Sequence, residues 1–86
     1  MKVEFHRNFE KLYIKLPAKV KQRFEERLTL FLEDPLDPTL RDHPLMGEWK
    51  GCRSINITGD YRAIYEEVDE ESIVFYAIGT HSQLYG

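Results

Sequence analysis

The feature that most constrains the fold is an uninterrupted apolar run close to the end of the chain, IVFYAI from Ile73 to Ile78. A strand that is apolar on both faces has to be covered on both sides, so this run predicts an interior strand over Ser72 to Gly79. The chain has only 86 residues, of which 42% are apolar and 31% charged, as is typical of a small globular domain. We therefore expect residues 1–86 to form a single domain organised around this strand.

Three other segments predict the remaining strands of the sheet: Lys2 to Phe5, Lys50 to Thr58 and Asp60 to Val68. Residues of the second segment alternate in polarity. One side of this strand carries Arg53, Ile55 and Ile57, and the other carries Cys52, Ser54, Asn56 and Thr58. Gly59 and Asp60 supply the chemistry of a hairpin turn before the next strand. The second half of the chain is therefore expected to be a run of three antiparallel strands.

Two amphipathic helices are predicted between the first strand and these three. Asn8 can cap a helix with apolar positions at helical spacing, namely Phe9, Leu12, Tyr13 and Leu16. Pro17 suits the first turn of a second helix that ends by Asp34-Pro35 and has Val20, Phe24, Leu28 and Phe31 on one side. Pro35 to Met46, with three prolines, is expected to be a loop.

The resulting order is βααβββ. It predicts an α+β fold, with a mainly antiparallel sheet and an N-terminal helical hairpin packed on one of its faces. The other sheet face would stay partly open, and a site can form there.

Composition limits the classes of partner and the compartment. The only cysteine, Cys52, excludes an internal disulfide and fits a reducing compartment. No apolar run approaches the ~20 residues that a membrane helix needs. The first residues lack the apolar segment of a signal peptide. A cytoplasmic location is therefore expected.

The net charge of −3 is unevenly distributed. Residues 1–30 hold eight Lys and Arg against four Glu, a balance of +4, whereas residues 31–86 hold four against eleven acidic residues, a balance of −7. Affinity for nucleic acid comes mainly from neutralising phosphates, so the whole chain does not favour generic binding of that kind. The N-terminal third can still carry a basic patch, although solvated helix faces explain the same residues.

Polar residues with useful chemistry are expected at the open sheet face and its flanking loops. They are His43, Arg53, Asn56, Asp60, Arg62, His81 and Tyr85. The guanidinium of Arg62 can clamp a phosphate through two parallel hydrogen bonds, or it can form a surface ion pair with Asp60 or Glu66. His81 can be a solvated or capping residue, or it can donate a proton to a leaving oxygen.

Other chemistries are less well supported by the residues. The three histidines, His6, His43 and His81, lack the spacing of the HxxxH or HExxH metal sites. Cys52 falls within a strand, without a visible partner to activate it as a nucleophile. Trp49 fits a packing role, although an indole can also stack on a base.

Three blocks of sequence closely resemble the RelE/ParE toxin superfamily, and within it the YafQ branch of bacterial toxin–antitoxin modules. They are HPLMGEWKG from His43, GDYRAIY from Gly59, and GTH from Gly79 followed by Leu84-Tyr85. The resemblance covers nearly the whole chain, including the βααβββ order. It implies a ribosome-dependent mRNA endoribonuclease that needs no metal or cofactor and is neutralised by a partner antitoxin.

The resemblance also implies roles for individual residues. His81 matches the general acid of the family, His43 and Asp60 match other active-site positions, and Tyr85 stands where the branch often has an aromatic residue. Arg62 matches a phosphate-binding arginine. In the reaction that we expect, Arg53 would help Arg62 to stabilise the charge on the phosphoryl oxygens. Asn56 replaces a histidine of the relatives, so proton transfer at that position is lost. Two alternatives stay open: a ParE-like inhibitor of DNA gyrase, and a catalytically weakened relative that only binds antitoxin.

Overall fold

The structure is a computed structural model that describes residues 1–86. Its strands are β1 (Lys2–Phe5), β2 (His43–Pro44), β3 (Arg53–Thr58), β4 (Tyr61–Asp69) and β5 (Ser72–Thr80). Its helices are α1 (Arg7–Ile14), α2 (Ala18–Glu33) and α3 (His81–Tyr85). The α+β prediction is confirmed, and the structure adds β2 and α3 to the predicted order. No helix is both long and apolar enough to cross a membrane.

The five strands form one mixed sheet in the order β1-β5-β4-β3-β2. Strand β1 runs parallel to β5, and the other neighbouring pairs are antiparallel. Strand β5 therefore lies in the interior of the sheet, as its two apolar faces predict. The helical hairpin of α1 and α2 covers one face, which we call the helix face, and the opposite side is the second face.

An aromatic cluster fills the space between the hairpin and the helix face. Phe75 on β5 is fully buried, and its ring lies 5.7 Å from Phe9 of α1 and 5.3 Å from Phe24 of α2, centroid to centroid. Tyr65 on β4 lies 5.6 Å from Phe75 and 5.0 Å edge-on from Phe31. Aromatic rings bury large apolar areas and prefer such tilted contacts, so they join both helices to the two central strands.

The second face has a smaller core. Leu45, Ile64 and Ala77 are buried there, and Trp49 and Leu84 pack over them. The register of β5 against β4 shifts between Ile64 and Tyr65, which leaves an extra β5 residue at the bulge. The loop after β2 and the helix α3 cover only part of the second face, which agrees with the prediction that this face stays partly open.

The structure corrects three local predictions. Asn8 is not the cap of α1: the Nδ1 atom of His6 accepts the Asn8 backbone N–H at 3.0 Å, and the Asn8 side chain donates to Tyr76 O instead. Pro17 precedes the first turn of α2 as its N-cap residue. The predicted loop over residues 35–46 contains a 3₁₀ turn at Pro38–Leu40. It also contains β2, whose two residues pair with β3.

Truncating the ring at the centre of the aromatic cluster should destabilise the whole fold. We expect Phe75→Ala to lower the free energy of unfolding by about 3–5 kcal/mol, the usual loss when a buried phenyl ring leaves a cavity. Urea denaturation measures this change. The matched control is Leu36→Ala, at a side chain that is 89% exposed, where we expect a change within about 0.5 kcal/mol. Equal losses for both variants would contradict this account of the core.

Candidate active site

An open groove of about 430 Å³ lies on the second face, between the segment around β2 and the helix α3. Its lining residues are His43, Pro44, Leu45, Met46, Arg62, His81 and Tyr85. Four of the seven residues proposed for the open sheet face meet here: two imidazoles, a guanidinium and a phenol. They come from separate parts of the sequence, and the sheet brings them together.

Arg62 extends from β4 and is held by neutral hydrogen-bond acceptors. Its Nε donates to Ser54 Oγ at 2.9 Å, and its Nη2 donates to Arg41 O at 2.9 Å and to Ser54 O at 3.2 Å. No carboxylate lies within ion-pair distance, so the surface pair with Asp60 or Glu66 does not form. The guanidinium is therefore fixed in place without an ion pair to neutralise its positive charge.

The surroundings of Arg62 change the pKa of its guanidinium. Burial lowers the pKa of Arg62 from its ordinary value, and the nearby Tyr85 phenol acts in the opposite direction. A guanidinium remains charged at neutral pH despite such a change. The bonds of Arg62 to Ser54, Arg41 and His43 come from Nε and Nη2, so none of these three residues occupies Nη1. That amino group is available to an anion in the groove.

His43 opens β2 beside this guanidinium. Its Nδ1 lies 3.0 Å from Arg41 O and 3.3 Å from Arg62 Nη2. A protonated Nδ1 can donate to the carbonyl, and a bare Nδ1 can accept from the guanidinium, but one nitrogen cannot do both. In either case, the protein's contacts with this ring are at Nδ1, and Nε2 is free to meet a ligand.

The Arg41 carbonyl that both side chains contact comes from an unusual backbone conformation. Arg41 has φ 47° and ψ 43°, the only left-handed conformation at a residue other than glycine. A residue with a Cβ atom pays about 1–2 kcal/mol for this conformation. Arg41 closes the 3₁₀ turn over Pro38–Leu40, where its N–H donates to Pro38 O. The turn thus directs the Arg41 carbonyl toward the groove.

His81 and Tyr85 stand on α3, one helical turn apart, with ring centroids separated by 4.7 Å. Two reciprocal bonds cap this helix: Gln83 N donates to Thr80 Oγ1 at 3.3 Å, and Thr80 N donates to Gln83 Oε1 at 2.8 Å. Gly79 leaves room for this box, since a Cβ atom there would lie 2.8 Å from Gln83 Oε1. Sequence reasoning missed α3, although the T-x-x-Q spacing of Thr80 and Gln83 is the signal that predicts it.

The remaining candidates lie outside the groove. Arg53 projects to the helix face with Ile55 and Ile57, as the alternation of β3 requires, and its Nε donates to Asp42 Oδ1 at 2.7 Å. Trp49 belongs to the second-face core, and its Nε1 donates to Leu84 O at 3.1 Å. Neither Arg53 nor Trp49 lines the groove.

Asn56 and Asp60 lie at the hairpin that leads into β4. Asn56 pairs across the strands with Arg62, and its side chain donates to Gly59 O at 3.3 Å. Asp60 is exposed in the turn and does not line the groove. Nowhere in the molecule do three His, Cys, Asp or Glu side chains converge in a group that can hold a metal ion.

Comparison with known proteins decides the family. Residues 1–86 match the model of the bacterial toxin of type II toxin–antitoxin system, YafQ. The chain belongs to the YafQ family. The mRNA interferase toxin YafQ of Escherichia coli K12 is 38% identical over 61 residues, which are 69% of this chain and 65% of that relative. The chain thus matches somewhat less than two thirds of the length of this YafQ.

Solved YafQ structures share the fold over nearly their full length. The crystal structure of YafQ from E. coli BL21(DE3) aligns with a TM-score of 0.81 at 29% identity, over 99% of this chain and 98% of that one. YafQ in the E. coli DinJ-YafQ toxin-antitoxin complex aligns with a TM-score of 0.77, also at 29% identity, over 99% and 97% of the two chains. The predicted resemblance to this family is confirmed.

Removing the cap of α3 should loosen one wall of the groove without unfolding the protein. We expect Thr80→Ala to raise amide hydrogen exchange in α3 about fivefold, because losing an N-cap hydroxyl costs about 1 kcal/mol. Exchange in β4 and β5 should stay unchanged. Thr58→Ala is the matched control, since the Thr58 hydroxyl makes no hydrogen bond within the protein. Unchanged exchange in α3 of the Thr80 variant would show that the capping box does not hold this helix.

Proposed function

We propose that this protein is the toxin of a type II toxin–antitoxin module and acts as a ribosome-dependent mRNA endoribonuclease in the cytoplasm. The observation that carries the proposal is the Arg62 guanidinium, which has no ion-pair partner and lines an open groove together with His43 and His81. A fixed cation in the same groove as two groups that can transfer protons is what cleavage of a phosphodiester needs. Family membership supports the same conclusion, because the E. coli relative is named an mRNA interferase.

The reaction uses the RNA's own 2′-hydroxyl as nucleophile, so it requires no metal or cofactor. His43 Nε2 takes the proton of this hydroxyl while the 2′-oxygen forms a bond to the adjacent phosphorus. The bond from phosphorus to the 5′-oxygen breaks, and His81 donates a proton to that oxygen. The products are a 2′,3′-cyclic phosphate and a free 5′-hydroxyl. His43 is preferred over Asp60 as the base because it lines the groove and Asp60 does not.

The other residues bind and orient the RNA. Arg62 Nη1 donates to the phosphoryl oxygens, where negative charge builds up in the transition state. Tyr85 packs beside the His81 ring at 4.7 Å and offers a face on which a base can stack. Asn56, across the strands from Arg62, can form hydrogen bonds with the RNA but cannot transfer protons.

Two macromolecular partners follow from this function. An antitoxin must hold the toxin inactive, and the solved DinJ–YafQ complex is the precedent for such a partner. The ribosome would present mRNA to the groove, while the basic N-terminal third, with its balance of +4, would contact ribosomal RNA. The acidic remainder would attract Lys and Arg side chains of the antitoxin.

Replacing the proposed acid should remove cleavage and preserve binding. We expect His81→Gln to lower the rate of ribosome-bound mRNA cleavage by about 10²- to 10⁴-fold, the usual contribution of a general acid. Primer extension on translated mRNA measures the cuts, and sedimentation with ribosomes measures binding. Cleavage at the wild-type rate would exclude this role for His81. Intact mRNA together with inhibited DNA gyrase, for the wild-type protein, would favour the ParE-like alternative.

Replacing Arg62 separates the charge from the shape of the guanidinium. We expect Arg62→Ala to lower the cleavage rate by about 10²- to 10³-fold, as when a donor to a developing oxyanion is removed. Arg62→Lys keeps the charge but loses the two-pronged geometry, and it should recover only part of the rate. The thermal midpoint of each variant is the control for folding. Near-normal cleavage by Arg62→Ala with a lowered midpoint would assign Arg62 a structural role.

A further inference from the structure

A second polar cluster lies across the sheet edge from the groove, on the helix face. Asp42 accepts hydrogen bonds on both carboxylate oxygens, from Arg53 Nε at 2.7 Å on Oδ1 and from the Tyr65 hydroxyl on Oδ2. The Asp42 side chain is only 14% exposed. We call these three residues the Asp42 clamp. None of them lines the groove, and the proposed reaction uses none of them.

The clamp joins three strands at the weakest edge of the sheet. Arg53 on β3 and Tyr65 on β4 are cross-strand partners, and both reach Asp42 immediately before β2. Strand β2 itself pairs with β3 through only two residues, His43 and Pro44. So short a ladder cannot fix the position of a side chain without further support. The clamp supplies that support from the opposite face.

The donors of the clamp are stable in their protonated forms. Burial, together with the hydrogen bond to Asp42, raises the pKa of the Tyr65 hydroxyl, so it stays protonated and keeps donating. The Tyr65 ring is itself fixed by Phe31 and Phe75 in the aromatic cluster. Arg53 remains charged because its hydrogen bond to Asp42 raises its pKa further. The carboxylate is thus anchored, through Tyr65, to the aromatic cluster.

The residues on either side of Asp42 belong to the groove. Arg41 directs its carbonyl to Arg62 Nη2 at 2.9 Å and to His43 Nδ1 at 3.0 Å. His43 carries the imidazole proposed as the base. Since Asp42 stands between these two residues in the chain, its position determines where the carbonyl and the imidazole lie.

We propose that Asp42 is a positioning residue, which fixes the Arg41 carbonyl and His43 from behind the sheet and thereby aligns Arg62 and the imidazole for reaction. This inference rests on the proposed ribonuclease activity for its kinetic consequence, but its structural part does not need RNA. The carbonyl holds one guanidinium amino group and leaves Nη1 for the phosphate. In the tautomer that this proposal requires, the same carbonyl accepts the His43 Nδ1–H, which leaves Nε2 as the bare nitrogen that can accept a proton.

Two variants test the clamp at different strengths. Asp42→Ala removes both hydrogen bonds, whereas Tyr65→Phe removes one hydroxyl and keeps the buried ring. We expect kcat for cleavage of ribosome-bound mRNA to fall about 10²-fold in Asp42→Ala, because a misplacement of about 1 Å costs that much. In Tyr65→Phe we expect a loss of about 10-fold. KM should change less than threefold in both, since neither residue contacts RNA.

A matched control separates positioning from the general effect of losing a tyrosine hydroxyl that donates to a carboxylate. Tyr76→Phe also removes a tyrosine hydroxyl that donates to a carboxylate, that of Glu66 at 2.7 Å, on the neighbouring strand and outside the groove. We expect its kcat to stay within twofold of wild type. If Asp42→Ala does not fold, the comparison of Tyr65→Phe with Tyr76→Phe still decides the question.

An RNA-free measurement distinguishes failure of this inference from failure of the proposed function. In the free protein, ¹⁵N NMR of the His43 ring should show a protonated Nδ1 in wild type and Tyr76→Phe, and a mixture of tautomers in Asp42→Ala. If wild type does not cleave mRNA but the tautomer changes as expected, the proposed function fails and the positioning role stands. If wild type cleaves mRNA while Tyr65→Phe and Asp42→Ala keep its kcat and its His43 spectrum, the positioning role is wrong.

Discussion

The whole architecture depends on covering β5 on both faces with a chain of only 86 residues. The helical hairpin covers the helix face with an aromatic cluster, and this uses most of the N-terminal half. What remains for the second face is the segment around β2 and the five residues of α3, which together cover Leu45, Ile64 and Ala77. A small domain has too little chain to bury both faces completely. The groove lies where that cover is incomplete.

At this opening the protein holds a charge that it does not neutralise. Removing a guanidinium from water completely costs several kcal/mol, and hydrogen bonds to charged groups return roughly 1.5–3 kcal/mol each. Ser54, itself fully buried, and the Arg41 carbonyl provide these bonds to Arg62 without cancelling its charge. The attraction of Arg62 for an anion, the RNA phosphate in the proposed reaction, therefore stays available, and it is stronger beside the low-dielectric sheet than in open water. An ion pair with Asp60 or Glu66 would have removed this property.

The sequence was sufficient for the elements with a clear period and insufficient where single contacts decide. The interior strand, the helical hairpin and the β3–β4 hairpin follow from apolar spacing and turn residues. Strand β2 could not be predicted, because two residues, one of them a proline, carry no period, and they form a strand only by pairing with β3. Helix α3 carried a readable capping signal, in Thr80 and Gln83, that an analysis of apolar spacing passes over.

The candidate site shows the same division. Grouping His43, Arg62, His81 and Tyr85 in one place followed from the predicted sheet and the family resemblance. The alternation of β3 was sufficient to predict that Arg53 lies on the same sheet face as Ile55 and Ile57. No pattern in the sequence indicated that Arg62 would bind a backbone carbonyl rather than a carboxylate. That carbonyl depends on the left-handed conformation of Arg41, which a sequence predicts reliably only at glycine and, less often, at asparagine.

Both walls of the groove are elements too short to be stable alone. Strand β2 has two residues and α3 has five, so neither can gain its rigidity from repeated backbone hydrogen bonds. Instead, side chains hold each wall to the rigid centre: Asp42 joins β2 to Arg53 and Tyr65, and the bond from Trp49 to Leu84 O joins α3 to the second-face core. Because few bonds hold each wall, losing one moves reactive groups while the aromatic core stays intact. Geometry at the groove is therefore more sensitive to substitution than the global stability of the fold.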